Sequence, residues 1–140
     1  MQPKKATRAN HTDQMWTCIE NCLEAHEAAT RCIFHCLEQG GEHAAPAHIR
    51  MLMDCAEITR TSADFMLRGS VHHHFTCGVC GKICEYCADE CDALDAGSEH
   101  MHRCAEACRR CAESCQAMTS HRAQEKDQTE SREHAKAGYS

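Results

Sequence analysis

The residues with the most obvious chemistry are the cysteines, 14 in a chain of 140. Cys77, Cys80, Cys84, Cys87 and Cys91 are spaced 3, 4, 3 and 4. At about 100° per residue that spacing keeps all five on one face of an α-helix. Cys104, Cys108, Cys111 and Cys115 repeat the last four of these positions at an offset of 24 residues. Cys18, Cys22, Ala25, Ala29, Cys32 and Cys36 follow the same register, and Cys55 stands alone between the rows. A zinc knuckle also contains Cys-x-x-Cys, as in Cys77-Gly-Val-Cys80. Here, however, that pair is one step in a longer register. Soft thiolate and thioether ligands select Cu(I), zinc or iron–sulfur clusters.

The spacing says how the metal is held. Residues four apart on a helix have Cβ atoms about 5–6 Å apart. The steps Cys18/Cys22, Cys32/Cys36, Cys80/Cys84, Cys87/Cys91, Cys104/Cys108 and Cys111/Cys115 therefore form candidate ligand pairs, with Cys55 and Cys77 left to bridge helices. Structural zinc wants closed tetrahedral sets of four. Iron–sulfur clusters need Cys₄ sets around an inorganic core. A continuous row suits many Cu(I) ions in series, which accept two or three thiolates. Zinc or mixed-metal buffering or sensing and iron–sulfur electron transfer stay open as alternatives. Met51, Met66, Met101 and Met118 offer thioethers, and His48 and His73 fall on the cysteine stripe near the bundle ends. These six are candidate additional ligands.

The elements that must position these groups are helices. Gly40-Gly41, Gly69-Ser70 and Gly97-Ser98 break the chain, and Pro46 suits a first helical turn. Ser70 and Ser98 are candidate N-caps, and Gly97 a helix C′ residue. The breaks leave helices at about 12–39, 46–68, 71–96 and 99–122. Short connections make neighbours antiparallel, so the expected fold is all-α: an up-and-down four-helix bundle spanning 1–122, with cysteines where Leu and Ile usually sit. Gly78 and Gly81 lie off the cysteine face and suit close helix–helix contact. Ile19, Leu23, Ile33 and Leu37, with Val79, Ile83 and Tyr86, form a second stripe that can pack neighbouring helices or subunits, with packing inside the bundle the expected role. Residues 123–140 are polar and expected to be a frayed or disordered tail.

Composition excludes other classes. Net charge is −6 with mixed signs and no basic patch, which argues against nucleic acid. No stretch is long and apolar enough to span a membrane. A secretory signal is not visible, so the expected compartment is the reducing cytoplasm, where cysteines suggest metal rather than disulfides. A thiol oxidoreductase needs one or two activated cysteines beside basic groups, not rows of them. Only Glu99-x-x-His102 fits the paired motif of a di-iron carboxylate bundle. No catalytic constellation is found, so no enzyme is expected.

The rows "CGVCGKICEYCADEC" and "CAEACRRCAESC", set in four helices, resemble those of the copper storage proteins, and the resemblance covers about residues 12–122. It implies a bundle whose inward cysteines bind many Cu(I) ions, commonly as a homotetramer, for copper storage and homeostasis. Without a leader the chain is similar to the cytosolic branch. It departs from densely loaded members at Ala25, Ala29, Thr59, Ser62 and Met66. These positions predict lower capacity and a weak or gapped zone near mid-bundle.

Overall fold

The structure is a computed structural model that describes the backbone of residues 12–137 and the side chains of 12–119. Among the described residues it contains α1 (Asp13–Gln39), a short 3₁₀ turn (Gly41–Ala44), α2 (Pro46–Leu67), α3 (His73–Asp95) and α4 (Glu99–Ala137). The helices form an antiparallel bundle in which each packs on two neighbours: α1 on α2 and α4, α3 on α2 and α4. No described helix is long and apolar enough to cross a membrane.

Local chemistry sets most of the helix ends. Thr12 caps α1, its Oγ1 accepting from Met15 N at 3.0 Å. Gly40 follows at φ 73° and Gly41 at φ 57°, left-handed conformations that suit glycine. Pro46 opens α2. Ser98 Oγ accepts from Met101 N at 3.4 Å, so it caps α4.

Three expectations about helix ends differ from the structure. Ser70 is not the cap of α3, which begins at His73; its Oγ accepts from His72 N at 3.1 Å, before the helix. The left-handed glycine at that break is Gly69 (φ 70°). Gly97 has no positive φ, so it is not a left-handed C′ residue. The backbone of α4 continues to Ala137, past the expected end at 122. Ala, Glu, Lys, Arg and Gln in that stretch have high intrinsic helix propensity.

The core is built from small side chains. All fourteen cysteines are buried, together with Ala25, Ala29, Ala63, Ala88 and Ala105. Larger groups close the ends of the thiol column: Leu52 and Met101 toward the Gly40 turn, and Ile19, Met66 and Met118 toward the Gly69 turn. Gly81 lets α3 approach α4, since a Cβ there would lie 3.4 Å from Cys115 Cβ and Gln116 Cγ. At Gly78 the nearest atoms are Thr119 side-chain atoms at 3.9 Å, so that glycine is not required by contact.

The second apolar stripe does not pack as expected. Ile19 is buried and Ile33 and Ile83 are half-buried. Leu23, Leu37, Val79 and Tyr86 are exposed, and Phe34 and Phe75 join them at 63% and 61%. Small core residues draw the helices together along the cysteine seam, which turns positions one step round the helix outward.

Candidate metal centre

The four helices place their sulfurs in contact across the bundle axis, not chiefly along single helices. Near the Gly69 turn, Cys22 Sγ lies 3.5 Å from Cys111, 3.7 Å from Cys115 and 4.0 Å from Cys80. Cys80 is 3.7 Å from Cys111. These four sulfurs lie mutually within 4.8 Å, and Cys18, Cys77 and Cys115 form an adjoining triplet. Toward the Gly40 turn the triplets are Cys55/Cys84/Cys108, Cys87/Cys104/Cys108 and Cys32/Cys91/Cys104. Cys36 joins through Cys32 at 3.9 Å. Every sequence-identified cysteine is therefore in the column. Of the pairs four apart, Cys32/Cys36 and Cys111/Cys115 make contacts of 3.9 Å. Cys55 and Cys77 do bridge helices: Cys55 meets Cys84 and Cys108, and Cys77 groups with Cys18 and Cys115.

Adjoining groups share sulfurs. Cys115 belongs to both groups near Gly69, while Cys104 and Cys108 link the three near Gly40. Between the two sets no cysteine is shared among these groups. This division falls at the level of Ala25 and Thr59. The Thr59 hydroxyl is occupied with its own helix, donating to Cys55 O at 2.7 Å. Ser62 lies nearer the Gly69 end than expected, its Oγ donating to Cys77 Sγ at 3.6 Å. Cys84 spans the division, interacting with Cys80 and Cys111 as well as Cys55 and Cys108.

Burial and thiol–thiol contacts polarise the column. Contact with Cys111, then with Cys115 and Cys18, holds the Cys22 thiol down at about 6. Cys80 is lowered by Cys111 and Cys115. Cys108 is lowered by Cys104 and Cys55. Cys84 moves the other way, raised by contact with Cys108. Cys87 is raised by Cys104 and Cys115 by Cys111, which are themselves raised. A thiolate that receives several S–H donors is stabilised while each donor keeps its proton. Each set thus contains at least one thiol whose contacts favour the thiolate, the form that binds metal.

The other candidates divide. His48 is buried with Nε2 3.4 Å from Cys36 Sγ and Nδ1 3.5 Å from Glu90 Oε2. Met101 Sδ lies 3.5 Å from Cys32 and 3.6 Å from Cys36. Met66 Sδ is 3.8 Å from Cys77. His73 is buried, but its Nδ1 meets Ser70 O at 2.9 Å. Met118 is buried at the same end. Met51 is only half-buried; Leu52 takes the fully buried place. The antiparallel order of the helices gathers His43, His48, His100 and His102 at the Gly40 end. His35, which the sequence did not single out, joins them by stacking on His100 at 4.0 Å, and His43 meets Asp95 at 3.0 Å.

A family profile for copper storage proteins matches residues 11–120. The chain belongs to the copper storage protein family. Its similarity to solved structures agrees in sequence and fold. A Nitrosospira multiformis protein is 40% identical with a TM-score of 0.72, covering 78% of this chain and 98% of that one. The Cu(I)-bound copper storage protein BsCsp3 is 34% identical with a TM-score of 0.71, covering 76% and 99%. A cytosolic copper storage protein from Streptomyces lividans with five coppers is 32% identical with a TM-score of 0.70, covering 77% and 93%.

Proposed function

We propose that this copper storage family member binds many Cu(I) ions on the thiolates of its core and holds them as a store. The ligands are Cys18, Cys22, Cys32, Cys36, Cys55, Cys77, Cys80, Cys84, Cys87, Cys91, Cys104, Cys108, Cys111 and Cys115. His48, Met101 and Met66 add end ligands where they touch sulfur. One observation carries the reading: Cys104, Cys108 and Cys115 each belong to two ligand groups. A shared sulfur is a bridging sulfur, and bridged thiolates suit a chain of soft monovalent ions. The Cu(I)-bound relatives support it.

The protein then acts in the cytoplasm as a binding protein without catalysis. We read the exposed apolar face of α1 and α3 as the contact surface of a homotetramer.

A second reading rests on one group. Cys22, Cys80, Cys111 and Cys115 are separated by 3.5–4.0 Å in the measured pairs. A zinc tetrahedron with Zn–S about 2.3 Å has edges of about 3.8 Å. Zinc would occupy that set and leave most other thiols free. Anaerobic Cu(I) titration of the reduced protein, followed by thiolate-to-copper absorption and metal analysis, separates the two. Progressive filling to many equivalents supports storage, whereas saturation at one or two overturns it.

A further inference from the structure

The column of sulfur has an approach from its flank. Between α1 and α4 lies a cavity of about 420 Å³, open to solvent. Ala28 and Ala107, which carry only methyl groups, are among its lining residues. Cys32 lines it. That cysteine, 1% exposed, belongs to the Cys32/Cys91/Cys104 group and touches Met101, so the cavity reaches the array from the side, toward the Gly40 end.

The lining charges say what fits. Arg31, Arg103 and Arg110 are balanced by Glu24, Glu27 and Glu106, with His100 and His102 beside them. With guanidiniums and carboxylates matched, the lining favours neither a bare cation nor a bare anion, and Cys32 is the one sulfur in it. A zwitterion is suited: its carboxylates meet guanidinium and its ammonium meets carboxylate. The surface pairs Arg31–Glu27 (3.2 Å) and Arg103–Glu99 (2.9 Å) are highly exposed and open at little cost. The volume lies within the usual range for small ligands, about 300–1,000 Å³.

We infer that this cavity docks a small zwitterionic thiol, of the amino-acid or peptide class, carrying Cu(I), and that copper passes from it to Cys32. The inference rests on the storage reading above. In the transfer the carrier's Cu–S bond breaks and a Cu–Sγ bond to Cys32 forms. The Cys32 thiol proton goes to the departing carrier thiolate. Copper stays Cu(I) throughout, so no oxidant or reductant is needed.

The test is stopped-flow loading of the reduced, metal-free full chain, read by thiolate-to-copper absorption. Cu(I)–glutathione supplies the zwitterionic carrier and Cu(I)–dithiothreitol an uncharged one. Ala28→Phe, which fills the cavity, should slow loading from Cu(I)–glutathione about tenfold at unchanged final capacity. Arg31→Ser with Arg103→Ser should slow loading from Cu(I)–glutathione by a similar factor and leave dithiothreitol loading unchanged. A folded Ala28→Phe protein that loads at the parental rate overturns the flank approach. Should that variant fail to fold, the arginine pair decides: equal slowing with both carriers, or none, overturns the zwitterion assignment. Final capacity reports separately on storage, since a parental chain saturating at one or two equivalents removes that reading whatever the rates.

Discussion

Cys55 Sγ lies 3.4 Å from Cys108 Sγ, so the one thiol of α2 is joined to the second cysteine of the α4 row. Through this contact α2 enters a column otherwise supplied by three helices. Cys55→Ala should lower copper capacity and weaken the groups around Cys84 and Cys108, leaving those of Cys18 and Cys22 unchanged. Competitive titration against a Cu(I) chelator measures this, and uniform weakening at every site would refute it.

The division at Ala25 and Thr59 gives Cys84 and Cys36 different standing. Cys84 interacts with sulfurs on both sides, whereas Cys36 sits at the end beside His48. Cys84→Ala should separate filling into two phases. Cys36→Ala should remove copper from the Gly40 end only. Loss of the same copper at the same affinity in both variants would show that the division has no functional meaning.

Raised thiols predict how the metal-free protein responds to alkali. Burial raises the Cys36 thiol; contact with Cys108 raises Cys55. Cys77 sits at about 11: its contact with Cys115 lowers it, but contact with Cys18 and burial outweigh that. An unfolded thiol titrates near about 8.5. Above that pH the unfolded chain releases these protons first and the native chain binds more, so stability falls as pH rises. Cys22, held at about 6, works the other way: its contribution is present above about 8.5 and is lost as pH falls through about 6. Melting curves should therefore show a declining midpoint from about pH 8 to about pH 10. Loading at neutral pH should also release protons, which a weakly buffered indicator detects.

The two glycines of α3 should respond differently to alanine. Gly78→Ala gains helix propensity, meets only ordinary contact with Thr119 at 3.9 Å and should stabilise by up to about 1 kcal/mol. Gly81→Ala gains the same propensity but presses on Cys115 and Gln116 at 3.4 Å, so its gain should be smaller. Denaturant midpoints compare them directly, and equal gains would mean the α3–α4 approach yields freely.

The exposed aromatic face can be tested by charge. Phe34→Glu with Phe75→Glu should shift the assembly to smaller species in sedimentation while the monomer keeps its helicity. A parental chain that already sediments as a monomer would refute the tetramer.

Much of the site was legible because cysteine at 3-4 spacing can satisfy only one helical face. The rows of α3 and α4 show this plainly. His48 and Met66 follow from the same stripe. What spacing does not carry is the rotation and stagger of one helix against another. That is why Cys22 meets Cys111 and Cys115 instead of being read simply as the partner of Cys18. It is also why Leu52 replaces Met51, and why Tyr86 and Leu23 face outward. A periodicity identifies a face without saying which neighbour covers it.

The belt of Ala25 and Thr59 has a consequence for traffic inside the bundle. On the storage reading proposed above, α1 offers only methyl groups there, and Cys84 on the α3–α4 wall is the sulfur that interacts with both sets. Exchange of copper between the two ends would then turn on ligand exchange at that one sulfur, and a bundle filled from one end would pass through a lopsided, half-loaded state.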